Sequence, residues 1–484
     1  VGETAPIAVV GLGPAGLDRL AGQGRQLALD PGRRLVLRTL QHPAAAELAA
    51  GRDALSCDDL YETAAGFDEL YAAIASRVVT LAAGTPVTYA VPGSAAVGER
   101  AVAAIRTGAA TAGLEMVVHP GESFLDLVWV RTGCDPIAAG VQVLDGRALP
   151  DPLPLHLPTV VTQVDRREVL GDVAVALGRT LDGDTSVIVL DRLGSDDEVV
   201  VTVPLRELAR YQPGPRTTLY LSPPPTGWYG LVTTNRRLRR ECPWDREQTH
   251  HTLLPHLVEE TYETVEAISR LDAAAPRGEP DLGSYAQLEE ELGDLLLQVV
   301  FHATLAEEPG AFGVEEVAEG IRRKLVQRHP HVFGDVIAED AATVSANWER
   351  IKATEKVRES LMDGVPQAMP AQARAEALQR RAATVGFDWN EAAPVLDKLR
   401  EEVDELAADI ADPEGATHEL GDVLFTVVNL ARHLGIDPEL SFRRANDRFA
   451  DRFRTMERLA AAEGEALDGM SLEQLDALWA LTKG

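Results

Sequence analysis

Cysteine is scarce. Cys57, Cys134 and Cys242 are the only three in 484 residues, and no two form a CxxC pair. That excludes a disulfide framework and a zinc knuckle, and it is the usage expected of a reducing cytoplasm. Basic residues are also in the minority: 46 Lys and Arg stand against 76 Asp and Glu, a net charge of −30. A surface this acidic has no footprint for a nucleic-acid backbone and is repelled by anionic lipid, so stable binding to either is excluded. No apolar run reaches the roughly 20 residues that a membrane helix needs. The opening VGETAPIAVVGLG has neither the basic nor the apolar region of a signal peptide. A soluble cytoplasmic protein is expected. A nucleotide remains admissible, because a metal ion and a few local cations suffice for its phosphates.

What is present falls into two halves. Up to residue 223, short β-rich runs alternate with Ala/Leu-rich helical stretches, the pattern of an α/β domain with two subdomains. Candidate strands are 7–11, 77–81, 114–119, 141–144, 160–164, 186–190 and 217–221. The proline run at 223–225 then breaks the chain. Beyond Trp228 the apolar residues recur at 3–4 spacing over 253–271, 285–306, 314–327, 371–385, 395–410, 417–434 and 441–462. This is an all-α pattern of helical-bundle modules.

The helical half repeats itself. Glu259, Glu260 and Glu263 precede Glu291 and Asp294; Glu401, Glu402 and Glu405 precede Glu419 and Asp422. Lys324 and Arg328 match Arg448 and Arg452, and Trp348 and Lys352 match Trp479 and Lys483, each pair four apart. Two modules, 228–356 and 369–484, are expected. Residues three or four apart share a helix face, so two packed helices gather four carboxylates in each copy. Such a cluster needs a cation, and hard oxygen ligands select Mg²⁺, or else Mn²⁺. The expected ligands are Glu260, Glu263, Glu291 and Asp294, then Glu402, Glu405, Glu419 and Asp422. Glu259 and Glu401 sit at the rim, where a carboxylate accepts a proton from attacking water. Lys324, Arg328, Arg448 and Arg452 suit phosphate oxygens. Trp348, Lys352, Trp479 and Lys483 are expected to bind substrate.

A solvated acidic face is the plainer explanation of an EExxE run. It does not explain ELGDLLLQVVFHA and ELGDVLFTVVNLA, where the acids lie within apolar stretches, nor the joint recurrence of acids, cations and Trp/Lys pairs. A di-iron bundle needs two ExxH elements; Glu247/His250 is the single one near these helices. The second copy has 13 residues between Glu405 and Glu419, against 27 between Glu263 and Glu291. A shorter connection holds the partner helices more tightly, so the second site is expected to supply most turnover.

The motifs ECPWDREQTH, LVEETYETVEAI, KLVQRHPHVFGD, NWERIK, LQRRAATVGFDW, KLREEVDEL and ANDRFADRFR, with both ELGD segments, resemble the MazG-type nucleoside triphosphate pyrophosphohydrolases. The resemblance implies hydrolysis of nucleoside triphosphates to monophosphate and pyrophosphate with Mg²⁺, broad base selectivity and a homodimer. The first half, 1–223, resembles the tetrapyrrole methylases through IAVVGLGPAG, TYAVPGSAAVGER and VVHPGESFLDLVWVRTGCDP. That resemblance implies an S-adenosylmethionine site drawing on Gly11, Gly13, Gly16 and Gly93. Ala15 and the Ser94-Ala95 pair depart from the family loops, and weak or absent S-adenosylmethionine binding is expected. Three functions stay open: a pyrophosphohydrolase with a regulatory or vestigial first domain, a bifunctional enzyme that also methylates, and a non-catalytic nucleotide sensor.

Overall fold

The computed structural model describes residues 5–20, 22–272, 275–336, 340, 343–344, 347–348, 351 and 360–483. They form two compact units, Val1–Gly320 and Ile321–Gly484.

The first unit begins with a parallel sheet of β1 (Ile7–Gly11), β2 (Arg34–Leu37), β3 (Ala54–Ser56), β4 (Val87–Val91) and β5 (Met116–His119), in the order β3-β2-β4-β1-β5. Crossover helices cover both faces of such a sheet, so its central strands are apolar throughout. In β1, Ile7 and Val9 pack with Ile74, Val78 and Ile105 on one face. Ala8 and Val10 pack with Leu27 and Leu48 on the other. The 77–81 run, expected to be a strand, is part of the helix Phe67–Ala82. Val78 of this run belongs to a longer stripe with Leu70 and Ile74, whose burial at helical spacing overrides local β propensity.

A second, mixed sheet follows: β6 (Gln142–Asp145), β7 (Thr159–Thr162), β8 (Ser186–Asp191), β9 (Val199–Pro204) and β10 (Thr218–Leu221), ordered β6-β7-β10-β8-β9. After the prolines, the helix Gly227–Glu241 is fastened to this subdomain. Thr226 Oγ1 donates to the Leu155 carbonyl at 3.3 Å, and the Tyr229 ring lies 4.9 Å from that of His156. The helices Leu254–Arg270 and Leu282–Glu307 then form an antiparallel pair, as the Thr264–Glu291 and Arg270–Gln287 hydrogen bonds fix. Their core lies toward the end of the longer helix, where Phe301 and Leu305 meet Leu253, and Val300 and Ala303 meet Val232 and Val314.

In the second unit the helices Ala392–Asp409 and Pro413–His433 make the corresponding hairpin. Asp412 caps the turn by accepting from the Glu414 and Gly415 amides. The helix Ala371–Ala383 is bound to the hairpin through Gln379 Nε2, which donates to the Phe425 carbonyl at 2.8 Å. Pro438–Ala462 and Leu472–Leu481 pack through Met456, Ala460 and Leu478. Among the described residues, no helix is long and apolar enough to cross a membrane.

Candidate active sites

In the first hairpin, Glu260 and Glu263 face Glu291 and Asp294 across the helix pair. Glu260, Glu263 and Glu291 each present an oxygen within 4.8 Å of the others. Burial holds the Glu260 carboxyl above the usual range, and Asp294, Glu263 and Glu259 push the same way. Glu291 is raised by burial, then by Glu263, Glu290 and Asp294, which outweigh Arg270. Crowded carboxylates of this kind bind a proton or a metal more readily than isolated ones. The backbone beneath them is tied by Thr264, whose buried hydroxyl lies 2.7 Å from the Glu260 carbonyl and 3.2 Å from that of Glu291.

In the second hairpin, Glu402, Glu419 and Asp422 reach the same 4.8 Å convergence. Glu405 stands beside them, its carboxyl raised by burial, with Glu402 and Glu419 adding to the rise and Lys398 opposing it. This cluster already contains a cation. Lys398 Nζ is 2.9 Å from Glu401 and 2.9 Å from Glu402, and the latter is buried. The first copy has His256 at the matching position, with Nδ1 at 3.7 Å from Glu259. The sequence reading missed Lys398. Its signal was the i,i+3 and i,i+4 spacing within KLREE, which favours these two ion pairs. Glu259 and Glu401 stand at the rims with well-exposed side chains.

Each repeat brings its arginine to its tryptophan. The Arg328 guanidinium lies 5.0 Å from the Trp348 ring centre, and that of Arg452 lies 5.8 Å from Trp479. These are cation–π distances. Phe449 also contacts the Trp479 ring, at 5.3 Å. Lys324 and Arg448 are exposed on the same helices as their arginine partners, and Lys483 is exposed near the last described residue. Lys352 lies outside the described residues.

The second hairpin is clamped at the end away from its turn. Asp388 Oδ1 accepts from Arg432 Nη2 at 2.5 Å and lies 3.0 Å from His433 Nε2, and Arg432 also reaches Asn429 at 2.8 Å. Asp388 is largely buried; the bonds from Arg432 and His433 outweigh burial and hold its carboxyl below the usual range. Asp388 precedes the helix carrying Glu402 and Glu405. Arg432 and His433 end the helix carrying Glu419 and Asp422. The clamp therefore ties the start of one acid-bearing helix to the end of the other.

In the first unit the loops after β1 and β4 are joined to each other. The Gly13 amide donates to the Gly93 carbonyl at 3.0 Å, and the Gly93 amide donates back at 2.8 Å. Gly13 adopts φ +79°, which a side chain disfavours. A Cβ on Gly11 would lie 1.9 Å from the Pro120 carbonyl oxygen. Gly16 leads into the short helical turn Leu17–Arg19. Ala15 and Ser94 are buried beside this seam.

The model of the MazG nucleotide pyrophosphohydrolase domain matches residues 248–333 and 392–456, which take in both acid clusters. Over 263 residues the chain is 43% identical to the nucleoside triphosphate pyrophosphohydrolase of Escherichia coli (strain K12), covering 95% of that protein and 52% of this one. This chain belongs to the MazG family. Its MazG half is also 42% identical to the nucleoside triphosphate pyrophosphohydrolase/pyrophosphatase MazG of Thermotoga maritima over 258 residues, 94% of that protein and 52% of this chain. The union of that half with the α/β half recurs in the uncharacterized protein YabN of Bacillus subtilis (strain 168). It is 37% identical over 489 residues, 98% of this chain and 97% of that one. Among solved structures, the chain is similar to uroporphyrin III C-methyl transferase from Thermus thermophilus. The identity is 18%, the coverage 45% of this chain and 91% of that one, and the TM-score 0.35. Membership of the MazG family makes the chain a hydrolase.

Proposed function

We propose that this MazG-type hydrolase converts nucleoside triphosphates to monophosphate and pyrophosphate with Mg²⁺, for which Mn²⁺ can substitute. The observation that carries this reading is the convergence of three carboxylates to 4.8 Å in each of two homologous hairpins. All-oxygen donors with raised affinity for a positive charge fit a hard divalent ion. Glu260, Glu263, Glu291 and Asp294 would hold it in the first copy, and Glu402, Glu405, Glu419 and Asp422 in the second. A bound ion supplies charge neutralisation at the phosphate and acidifies water. Glu259 and Glu401 accept the proton of the attacking water at the rim. Lys324, Arg328, Arg448 and Arg452 bind the remaining phosphate oxygens, while Trp348 and Trp479 stack on the base, with Lys352 and Lys483 alongside. The test is incubation with Mg²⁺ and each nucleoside triphosphate, with products resolved by phosphorus NMR. Monophosphate and pyrophosphate are expected. Diphosphate and orthophosphate as primary products would sink the reading, and binding without turnover would favour the sensor.

Two further parts of the reading have support. Leu292, Leu296 and Val299 are exposed at i, i+4, i+7, and so are Leu420, Leu424 and Val427 at the matching positions of the second copy. Repeated apolar stripes are surfaces to be covered, and a homodimer in the cytoplasm is the occupant proposed here. Light scattering that gives a monomer mass at micromolar protein would overturn it. The first domain is regulatory or vestigial. The Gly13 and Gly93 amides each donate to the other residue's carbonyl, which leaves neither for a cofactor, and Ala15 and the Ser94-Ala95 pair stand in the same loops. Calorimetry is expected to find weak binding or none; micromolar affinity with methyl transfer would restore the bifunctional alternative.

A further inference from the structure

The acids of the two clusters repeat each other, but the cationic neighbour on the first helix does not. Four residues before the first acid of the metal group stands His256 in the first copy and Lys398 in the second. His256 reaches outward to the rim, 3.7 Å from Glu259. Lys398 spans the rim and the interior, with 2.9 Å to Glu401 and 2.9 Å to Glu402. Glu402 is the most buried acid of either cluster, 7% exposed, and one of the three that converge. A buried carboxylate is stable in its charged form only beside a positive charge. In the first copy the matching His256 pairs with the rim acid Glu259. In the second copy Lys398 occupies the place of the missing charge.

We infer that Lys398 is the resident counter-ion of the second site, displaced from Glu402 toward Glu401 when the divalent ion enters. The inference rests on the metal reading of the cluster. A divalent ion on Glu402 Oε1, the oxygen that Lys398 Nζ bonds, repels the ammonium and weakens that bond. Lys398 is two-thirds covered and its stem lies along the helix that bears Glu401. Once freed it keeps Glu401 within reach at the rim, where the water-activating carboxylate stands. Lys398 is thus a positioning residue for Glu401 and a gate on the metal. The second site exchanges one positive charge for another instead of filling an empty anionic cage.

The experiment uses the full chain carrying Glu263→Gln to weaken the first cluster, with Mn²⁺ as the probe ion. Calorimetry follows Mn²⁺ binding in this background and with Lys398→Met, Lys398→Arg or Arg400→Gln added. Arg400→Gln removes the same charge from the same helix, where it pairs with Asp397 at 2.7 Å, and so reports the long-range electrostatic effect. Lys398→Met is expected to tighten Mn²⁺ binding about two- to fivefold, the range of a part-exposed ion pair. Arg400→Gln and Lys398→Arg are expected to change it by less than about twofold. A second readout is free of affinity: acylation of the Lys398 amine, followed by peptide mass spectrometry, should quicken when Mg²⁺ is added. Unchanged or weaker Mn²⁺ binding in Lys398→Met, or an amine whose labelling ignores Mg²⁺, overturns the inference. Asp422→Asn separates the two failures: if it leaves Mn²⁺ binding intact, the cluster holds no metal, and the metal reading falls together with the gate.

Discussion

Thr264 bonds across to the main-chain carbonyl of Glu291 at 3.2 Å, joining the two helices of the first hairpin beneath their acids. The same hydroxyl reaches the Glu260 carbonyl on its own helix, so one side chain touches the backbone of two proposed ligands. Leu406 holds the matching place in the second copy, which relies instead on the Asp388 clamp. Thr264→Val keeps the shape and removes the bond. It should cost about 1 kcal/mol of stability and weaken Mn²⁺ binding to the first cluster several-fold, while Thr264→Ser restores both. Denaturant titration and calorimetry read the two effects. Equal binding in Thr264→Val and wild type would reduce the contact to helix packing.

The copies are to be ranked by paired substitutions. Glu405→Gln and Glu263→Gln each keep side-chain size and remove one charge of a metal group. We expect Glu405→Gln to lower turnover on the order of a thousandfold, the loss of several kcal/mol of transition-state stabilisation. Glu263→Gln should leave most activity in place. The opposite pattern would make the first copy the working site, and two silent substitutions would remove the carboxylate clusters from the chemistry.

Acidity should act on the metal-free first cluster in a defined direction. Glu260 and Glu291 have folded pKa values raised above the unfolded value of about 4.3. Their contribution to stability is complete below that value and is lost as pH rises through the raised folded values. In chelator-treated protein, wild type should therefore lose stability relative to Glu260→Gln on going from about pH 4 toward neutrality. Added Mg²⁺ should cancel the difference. Thermal unfolding of the pair across pH tests this; parallel profiles would mean that the two acids are not crowded in solution.

Asp388 should behave in the opposite sense. Its folded pKa is depressed by Arg432 and His433, so its stabilisation is in place above the unfolded value of about 3.9 and is lost as pH falls through the folded value. Asp388→Asn should cost about 1–3 kcal/mol at neutral pH and flatten the acid limb of the stability profile. It should also weaken metal binding at the second cluster without touching a ligand. A stable variant with normal Mn²⁺ affinity would show that the turn at Asp412 alone sets the register.

The helical half was legible because each module repeats its chemistry at helical spacing, and apolar periodicity located every acid-bearing helix. The α/β half was harder to read. The 77–81 run has strand composition, yet Ile74 and Val78 share a buried helix face. β3 has three residues and β2 four, too few for any alternation to register. At the sites, sequence spacing gave the acids and the Arg–Trp pairs. It did not give Lys398, because a lysine within an acidic helix is as common on a solvated face as in a site. Nor did it give Thr264, whose partner is a carbonyl and leaves no trace in side-chain pattern.

The reciprocal bonds between Gly13 and Gly93 bear on communication within the molecule. A ligand can transmit a signal only by favouring one of two arrangements over another. Loops tied by two backbone bonds favour one arrangement, and a ligand that breaks neither bond has little to redistribute. Amide exchange at Gly13 and Gly93 would be slow under every condition that keeps the domain folded. If those bonds persist with every ligand, the α/β half is vestigial rather than regulatory, joined to the helices through Thr226 and Tyr229 with a coupling free energy near zero.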